Sequence, residues 1–513
     1  MRQFKLLGAA LVAPLWLAAC GGGGGDTFGT QVAAPARGQL MQSPPAIITS
    51  LTPTGFTASL NASPTGQGLL QLTGTPVCGV DVQYIKYGTV GGKNEATDAS
   101  GVLMVPTGTA PQCSGARPIV VYAHGTNITK RYNLAEIADS TNPANSESVL
   151  LAAMYAAQGY IVVAPNYAGY DSSSLSYHPY VNADQQSKDM IDALAAAKSA
   201  LPAGKASAKL FVTGYSQGGF VAMATQRALQ LAGTPVTASA PLSGPYAMAA
   251  YLDAIFYGNV ALGSTAFAPL TTNSYQQAYG NIYTTPADFY ETTFATGIES
   301  LVPGNFDFTT VFSNGKLPQT ALFSSTPPAP PFAGITPPTG TGATDALFAL
   351  GFGTNNLINN ATRLAYLSDA IAHPDGAVPS PTALPLPAAA PTNTIRIAAK
   401  LNDLRAGWTG PTTPTLLCGG NADPTVFFQV NTALMAGIWS AKVASRLVTV
   451  LDVDSAPGTP GPTNPFFAAK AGFAQQKAAL FASAGANAVV QSYHGSLVPP
   501  FCNAAARGFF SQF

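Results

Sequence analysis

KLFVTGYSQGGFVAMATQRALQL, residues 209–231, sets a strand-like run, a glycine-rich turn and a helical run one after another. Lys209 to Thr213 is a short apolar run of strand type, and Gln217 to Leu231 sets apolar residues at helical spacing. Between them lies Gly214-Tyr215-Ser216-Gln217-Gly218, of the form G-x-S-x-G. A strand that turns sharply into a helix holds one serine strained and exposed, with its hydroxyl toward a substrate and the helix N-terminus facing developing negative charge. A chain with 51 glycines can match the bare pattern by accident, so the flanking strand and helix carry the argument.

Outward from this elbow the chain alternates. Val82 to Val90 and Ala99 to Val105 read as paired strands, Pro118 to Ala123 as a buried strand, and Ser146 to Gln158 as a helix. Tyr160 to Ala164 is a further strand, and Asp184 to Ala200 a helix with Met190, Ile191, Leu194 and Ala197 on one face. Val236 to Pro241 follows the elbow helix as the next strand. This alternation predicts an α/β protein with a mostly parallel sheet covered by helices on both faces. From Tyr246 to Arg405 it stops: aromatic-rich helical stretches (Tyr246 to Tyr257, Ala287 to Leu301) mix with Pro, Thr, Gly and Ala runs at Ser324 to Ala343 and Ala377 to Pro391. Such an insertion interrupts the sheet unless it stands outside it, so it reads as a cap. Pro414 to Cys418 resumes the sheet, Thr425 to Ala441 is a helix, Leu447 to Val453 and Ala488 to Ser492 are strand candidates, and Phe501 to Phe513 closes the chain as a helix.

A serine hydroxyl is a poor nucleophile near neutral pH, so it needs an imidazole to take its proton and a carboxylate to hold that imidazole. The chain has four histidines. His124 follows a strand in His124-Gly125-Thr126, His178 lies in a loop before a helix, and His373 falls in the cap. That leaves His494 as the base. Asp423, in a glycine-rich loop after the resumed strand, is the expected acid, with Asp452 and Asp454 as rivals because they too end a strand. Two backbone amides must face the oxyanion: Gln217, next to the nucleophile, and Thr126, with Gly125 permitting close approach.

The ends and the composition bound the rest. Arg2 and Lys5 precede an apolar segment, Leu6 to Trp16, too short to span a membrane, followed by Leu17-Ala18-Ala19-Cys20. That tetrapeptide resembles a bacterial lipobox, which implies cleavage before Cys20, acylation of its thiol, and anchoring in a membrane. Gly21 in place of aspartate after the cysteine favours the outer membrane, and Gly21 to Gly25 suits a flexible tether. A plain secretory signal is the alternative. Residues 26–75 are rich in Pro, Thr, Ala and Gly and read as a stalk or loosely packed arm. Lys plus Arg equal Asp plus Glu at 23 each, and charged residues make up only 9%, which speaks against nucleic acid as a partner. Besides Cys20 there are Cys78, Cys113, Cys418 and Cys502, an even number for an oxidising compartment. Three connectivities are open. Cys78 with Cys113 and Cys418 with Cys502 is favoured, and neither a C-x-x-C nor a histidine pair points to a metal site.

Several stretches together resemble the secretory lipase family, the capped α/β-hydrolases typified by yeast lipase A. They are Tyr122 to Thr126, Val163 to Tyr170, His178-Pro179-Tyr180 followed by Ile191-Asp192-Ala193, Gly214 to Gly219, and the Asp423 loop. The resemblance implies the α/β-hydrolase fold with the chain order Ser, Asp, His, a lid-like cap and no cofactor. Two departures stand out: Asn166 where the family usually carries aspartate, and an extra helix-like run, Phe466 to Ala484, between acid and base. The expected organisation is a lipoprotein signal peptide (1–19), a lipidated tether and arm (20–75), a first α/β-hydrolase core segment (76–245), a cap (246–405) and a second core segment (406–513). The expected activity is hydrolysis of a carboxylic ester with an apolar acyl or aryl group, through a Ser216, His494, Asp423 triad. A serine peptidase of the same fold and a silent binding protein on that scaffold are the alternatives.

Overall fold

The computed structural model describes residues 35–340 and 344–513. Nine strands build the main sheet: β1 (Ala46–Leu51), β2 (Gly79–Val90), β3 (Ala96–Thr107), β4 (Arg117–Ala123), β5 (Ile161–Pro165), β6 (Ala206–Tyr215), β7 (Ala238–Leu242), β8 (Thr415–Gly419) and β9 (Val448–Asp452). Their spatial order is β1-β2-β3-β5-β4-β6-β7-β8-β9. The first three and β5 pair antiparallel in turn, and from β5 to β9 every pairing is parallel. β5, β7 and β8 are buried along their whole length, and β5 (Ile161–Pro165) is accordingly an unbroken apolar run instead of an alternating one.

Residues 46–73 correct the stalk expected there. β1 adds to the sheet edge through β2, and α1 (Pro53–Asn61) and α2 (Pro64–Thr73) follow it. Thr52 and Ser63 each cap the helix that a proline opens, accepting from Gly55 N–H and Gly66 N–H. The Thr-Pro and Ser-Pro pairs that looked like loop composition are helix starts. Ahead of β1, Arg37 bonds Asp192 on the core through two hydrogen bonds of 3.0 Å.

Before the insertion the core helices are α3 (Asn145–Met154), α4 (Ala183–Ala200) and α5 (Gln217–Leu231). The segment between β7 and β8 contributes α6 (Met248–Phe256), α7 (Ser264–Tyr279), α8 (Asn360–Ala372) and α9 (Thr394–Leu401), with the described residues of 280–359, between α7 and α8, holding only helical turns of three to five residues and a two-strand pairing of Phe323–Ser324 with Phe352–Gly353. Little regular structure connects these pieces, and buried ion pairs do so instead. Arg396 bonds Asp253 on α6 at 2.8 Å and Asp369 on α8 at 2.7 Å, while Arg405 bonds Asp375 at 2.6 Å and Asp403 at 2.8 Å. All six side chains are nearly or wholly buried, so removing one partner would strand a charge in the interior. These buried ion pairs link elements of the insertion that regular structure does not join.

The C-terminal region departs from expectation at two places. Residues 425–441 resolve into a π-helical turn, Gln429–Ala433, and the short α10 (Leu434–Ser440). Ala488 to Ser492, expected as a strand, belongs to α11 (Phe467–Ser492), which breaks only at Gly485, where φ is 80°. Of these five residues only Ala488, Val489 and Val490 are apolar, too short a run to choose between strand and helix, and beyond the break at Gly485 the chain resumes helical geometry. α12 (Val498–Phe510) ends the fold. It packs with α2 and α3, while α4 packs with α5, so both faces of the sheet are covered.

Two disulfides join Cys78 to Cys113 and Cys418 to Cys502, the pairing favoured from sequence. The second closes a loop of 84 residues from β8 to α12. On loop-closure entropy, the Cys418→Ser, Cys502→Ser variant is expected to lose about 4 kcal/mol of stability, measured by denaturant unfolding. A loss under about 1 kcal/mol would show that packing alone fixes that corner.

Candidate active site

Ser216 sits between β6 and α5 with φ 62° and ψ −123°, a conformation that L-residues other than glycine seldom adopt. The glycines around it make this possible. A Cβ on Gly218 would lie 1.8 Å from the Ala123 carbonyl oxygen, and one on Gly214 would lie 2.4 Å from the Gly218 oxygen. The spacing of the motif therefore reflects how closely β4, β6 and α5 approach at the turn. Ser216 N–H bonds the Leu242 carbonyl at 3.0 Å, which pins the elbow to β7.

The residues expected around Ser216 come together. His494 Nε2 lies 2.7 Å from Ser216 Oγ, and His494 Nδ1 lies 2.6 Å from Asp423 Oδ2. With Nδ1–H donating to the carboxylate, Nε2 is the lone-pair nitrogen that accepts from the serine hydroxyl. Asp423 is buried, and its other oxygen accepts from the amides of Thr425 and Val426, each at 2.9 Å. The carboxylate is thus fixed from both sides. His494 stands in a π-helical turn, Tyr493–Leu497, between α11 and α12, and its carbonyl accepts from Tyr215 OH at 2.7 Å.

The rival carboxylates lie elsewhere in this corner. Asp452 accepts from Asn421 Nδ2 at 2.7 Å and from Asn421 N–H at 3.1 Å. Asp454 pairs with Lys477 and accepts from Tyr493 OH, each at 2.7 Å. These two aspartates brace the loops that carry Asp423 and His494.

His124 is buried, with its ring stacked on Tyr132 and Tyr167 at 4.3 and 4.1 Å and its nitrogens against the carbonyls of Gly125 and Asn166. Burial lowers its pKa. His373 ends α8. Asn166, where an aspartate was expected by resemblance, accepts from Leu134 N–H at 2.9 Å and donates to Ser100 Oγ at 2.9 Å and Asn133 Oδ1 at 3.2 Å. A neutral amide meets the needs of that site, because one partner donates and two accept.

Gln217 and Thr126, the expected oxyanion residues, line the same cavity as Ser216. Met248, Leu252, Phe256, Phe267 and Ile395 from the insertion wall it. No Lys, Arg, Asp or Glu among the described residues faces it. Two further neighbours come from the His178-Pro179-Tyr180 stretch of the family resemblance, to which the sequence reading assigns no role in the site. His178 Nε2 meets Gln217 Nε2 at 2.7 Å, and Tyr180 OH meets Thr126 Oγ1 at 2.9 Å. His178 Nδ1 faces the Ala168 carbonyl at 2.9 Å, so that nitrogen holds the proton and Nε2 accepts from the Gln217 amide. Burial holds the His178 pKa down to about 3, which keeps the ring neutral in this role. Nothing in the spacing of His178 or Tyr180 marks them as partners of residues so far along the chain.

Residues 146–234 match the prolyl oligopeptidase family. No curated protein matches the chain. Among solved structures, a ligand-bound form of the rice cell wall degrading esterase LipA from Xanthomonas oryzae is 28% identical, with a TM-score of 0.63, covering 82% of this chain and 91% of that one. Another LipA structure from the same organism is 27% identical with a TM-score of 0.62, covering 90% of this chain and 98% of that one. A Legionella pneumophila chain at 19% identity and TM-score 0.62, covering 92% of this chain and 97% of that one, is similar in fold. With these likenesses beside the sheet order and the elbow, the chain is a serine hydrolase of the α/β-hydrolase fold.

Proposed function

We propose that this protein hydrolyses carboxylic esters with an apolar acyl or aryl group. The observation that carries the reading is Ser216, hydrogen-bonded to His494 and opening onto a cavity whose described lining has no charged side chain. Ser216 Oγ attacks the ester carbonyl carbon while His494 Nε2 takes its proton, and Asp423 stabilises the imidazolium. The amides of Gln217 and Thr126 receive the oxyanion at the N-terminus of α5. His494 then protonates the leaving alcohol, and a water activated by the same imidazole cleaves the acyl-enzyme to release the acid. No step needs a cofactor. In this reading the protein is a secretory-lipase-like enzyme made as a lipoprotein, exported and held at the outer membrane through acylated Cys20. That leader lies outside the described residues, while the two disulfides fit an oxidising compartment.

A fluorophosphonate probe followed by mass spectrometry tests the nucleophile: label on Ser216 is expected, and label on another serine alone would overturn the mechanism. A series of p-nitrophenyl esters tests the substrate. Each added methylene should raise kcat/KM about three- to fourfold until the cavity is filled, since burying one is worth about 0.8 kcal/mol. The prolyl oligopeptidase match over the elbow region favours a second reading, a serine peptidase. Faster turnover of peptide anilides than of any ester would establish it, and absence of turnover of either class would favour a binding protein.

A further inference from the structure

We propose that the turn His178-Pro179-Tyr180 is a brace that positions both oxyanion donors, through a hydrogen bond that His178 accepts from the Gln217 side chain and one between the Tyr180 and Thr126 hydroxyls. The proposal rests on the ester-hydrolase reading and deepens it. His178 and Tyr180 are positioning residues, because each acts through the residue it holds.

Two separate elements are held at one point. Gln217 opens α5 and Thr126 follows β4, yet their side chains are bonded by two residues that flank a single proline. The turn between those two is closed by a bond from Tyr180 N–H to the His178 carbonyl at 2.7 Å, and Pro179 at its centre has little backbone freedom. Both side chains are buried. The brace is itself anchored: His178 Nδ1–H donates to the Ala168 carbonyl, and Ala168 N–H donates to Asp189 Oδ2 at 2.7 Å. Asp189, on α4, also accepts from Tyr87 OH on β2 at 2.6 Å. A continuous run of hydrogen bonds therefore leads from the sheet to the residue beside the nucleophile.

The Gln217 side chain supplies an independent argument. It is fully buried, and its Oε1 has no hydrogen-bond partner among the described residues. An unpaired buried acceptor is destabilising, and a methionine of similar volume would avoid that cost. The amide at this position is explained by what its nitrogen does, which is to donate to His178. Fixing both donors before substrate arrives matters because donors that need no reorganisation stabilise the oxyanion most, and small misplacements are costly.

The test compares Tyr180→Phe, His178→Ala and His178→Gln with the unaltered protein on a p-nitrophenyl ester, together with the rate at which a fluorophosphonate labels Ser216. Tyr180→Phe removes one hydroxyl, and His178→Gln keeps an acceptor near the Nε2 position. The brace predicts that Tyr180→Phe and His178→Ala lower kcat about 10- to 100-fold with KM within about twofold. It also predicts that labelling slows in parallel and that His178→Gln recovers most of the loss. An unchanged kcat in both Tyr180→Phe and His178→Ala, with Ser216→Ala inactive, would overturn the brace and leave the ester-hydrolase reading standing. A loss in His178→Ala that His178→Gln does not relieve, accompanied by an equal fall in melting temperature and a normal labelling rate, would also overturn it. Full ester hydrolysis by Ser216→Ala would instead remove the reading beneath it.

Discussion

Ser216→Ala is expected to lower kcat for ester hydrolysis about a million-fold, His494→Ala by a similar factor, and the double variant by no more than either alone. The reason is that nucleophile and base act as one unit. Without the 2.7 Å bond from Ser216 Oγ to His494 Nε2 the hydroxyl keeps its proton at neutral pH, and without the hydroxyl the imidazole has nothing to activate. Losses that multiplied in the double variant would mean that the two groups act independently, which this geometry does not allow. On the proposed ester-hydrolase reading KM should change little, since the cavity walls come mainly from the insertion and remain in place. The strained backbone at Ser216 makes alanine a fair control: the positive φ is maintained by the surrounding sheet and helix, so the fold should persist, as a melting temperature within a few degrees would show. Retention of a tenth of the activity in either single variant would sink the mechanism.

How much of this was legible in the sequence depends on how local each signal was. The elbow could be read because β6, the turn and α5 are contiguous and each carries its own period. The order of strand and helix through β7 followed for the same reason. The arm before β2 misled because proline and threonine are both loop formers and helix starters, and only the position of Thr52 and Ser63 immediately before proline separates the two uses. The turn holding His494 misled differently. Its helical setting follows from a helical segment that restarts after the break at Gly485 and leads into the turn, which a short apolar run conceals. The insertion was the least legible region, because its pieces are joined by Arg396 and Arg405 to aspartates mostly far away in sequence, and a charge has no periodicity that reveals its partner. His178 was invisible as a brace on the same grounds: its bond to Gln217 spans 39 residues and depends on the packing of a turn.

Asp423→Asn should lower kcat about ten-thousandfold, whereas Asp452→Asn and Asp454→Asn should leave it within about tenfold, and this contrast separates three carboxylates that sequence spacing could not. Asp423 accepts the Nδ1–H of His494 at 2.6 Å, which keeps Nε2 free to take the serine proton. An asparagine there can present its NH₂ group to Nδ1, moving the ring proton to Nε2 and leaving the wrong nitrogen toward Ser216. The backbone amides of Thr425 and Val426 favour this outcome, because as donors they demand an oxygen on their side and turn the NH₂ toward the histidine. Asp452 and Asp454 act one step away, through Asn421, Lys477 and Tyr493, so their loss shifts loops without changing a tautomer. The pH profile distinguishes these two kinds of defect. A tautomer defect in Asp423→Asn should be relieved at high pH, where hydroxide can replace the lost base, whereas a loop defect in Asp452→Asn or Asp454→Asn should scale the whole profile without changing its shape. If Asp454→Asn were the variant with the ten-thousandfold loss, the acid would have been assigned to the wrong strand end, and the bonds from Asp423 to Thr425 and Val426 would be those of an ordinary turn.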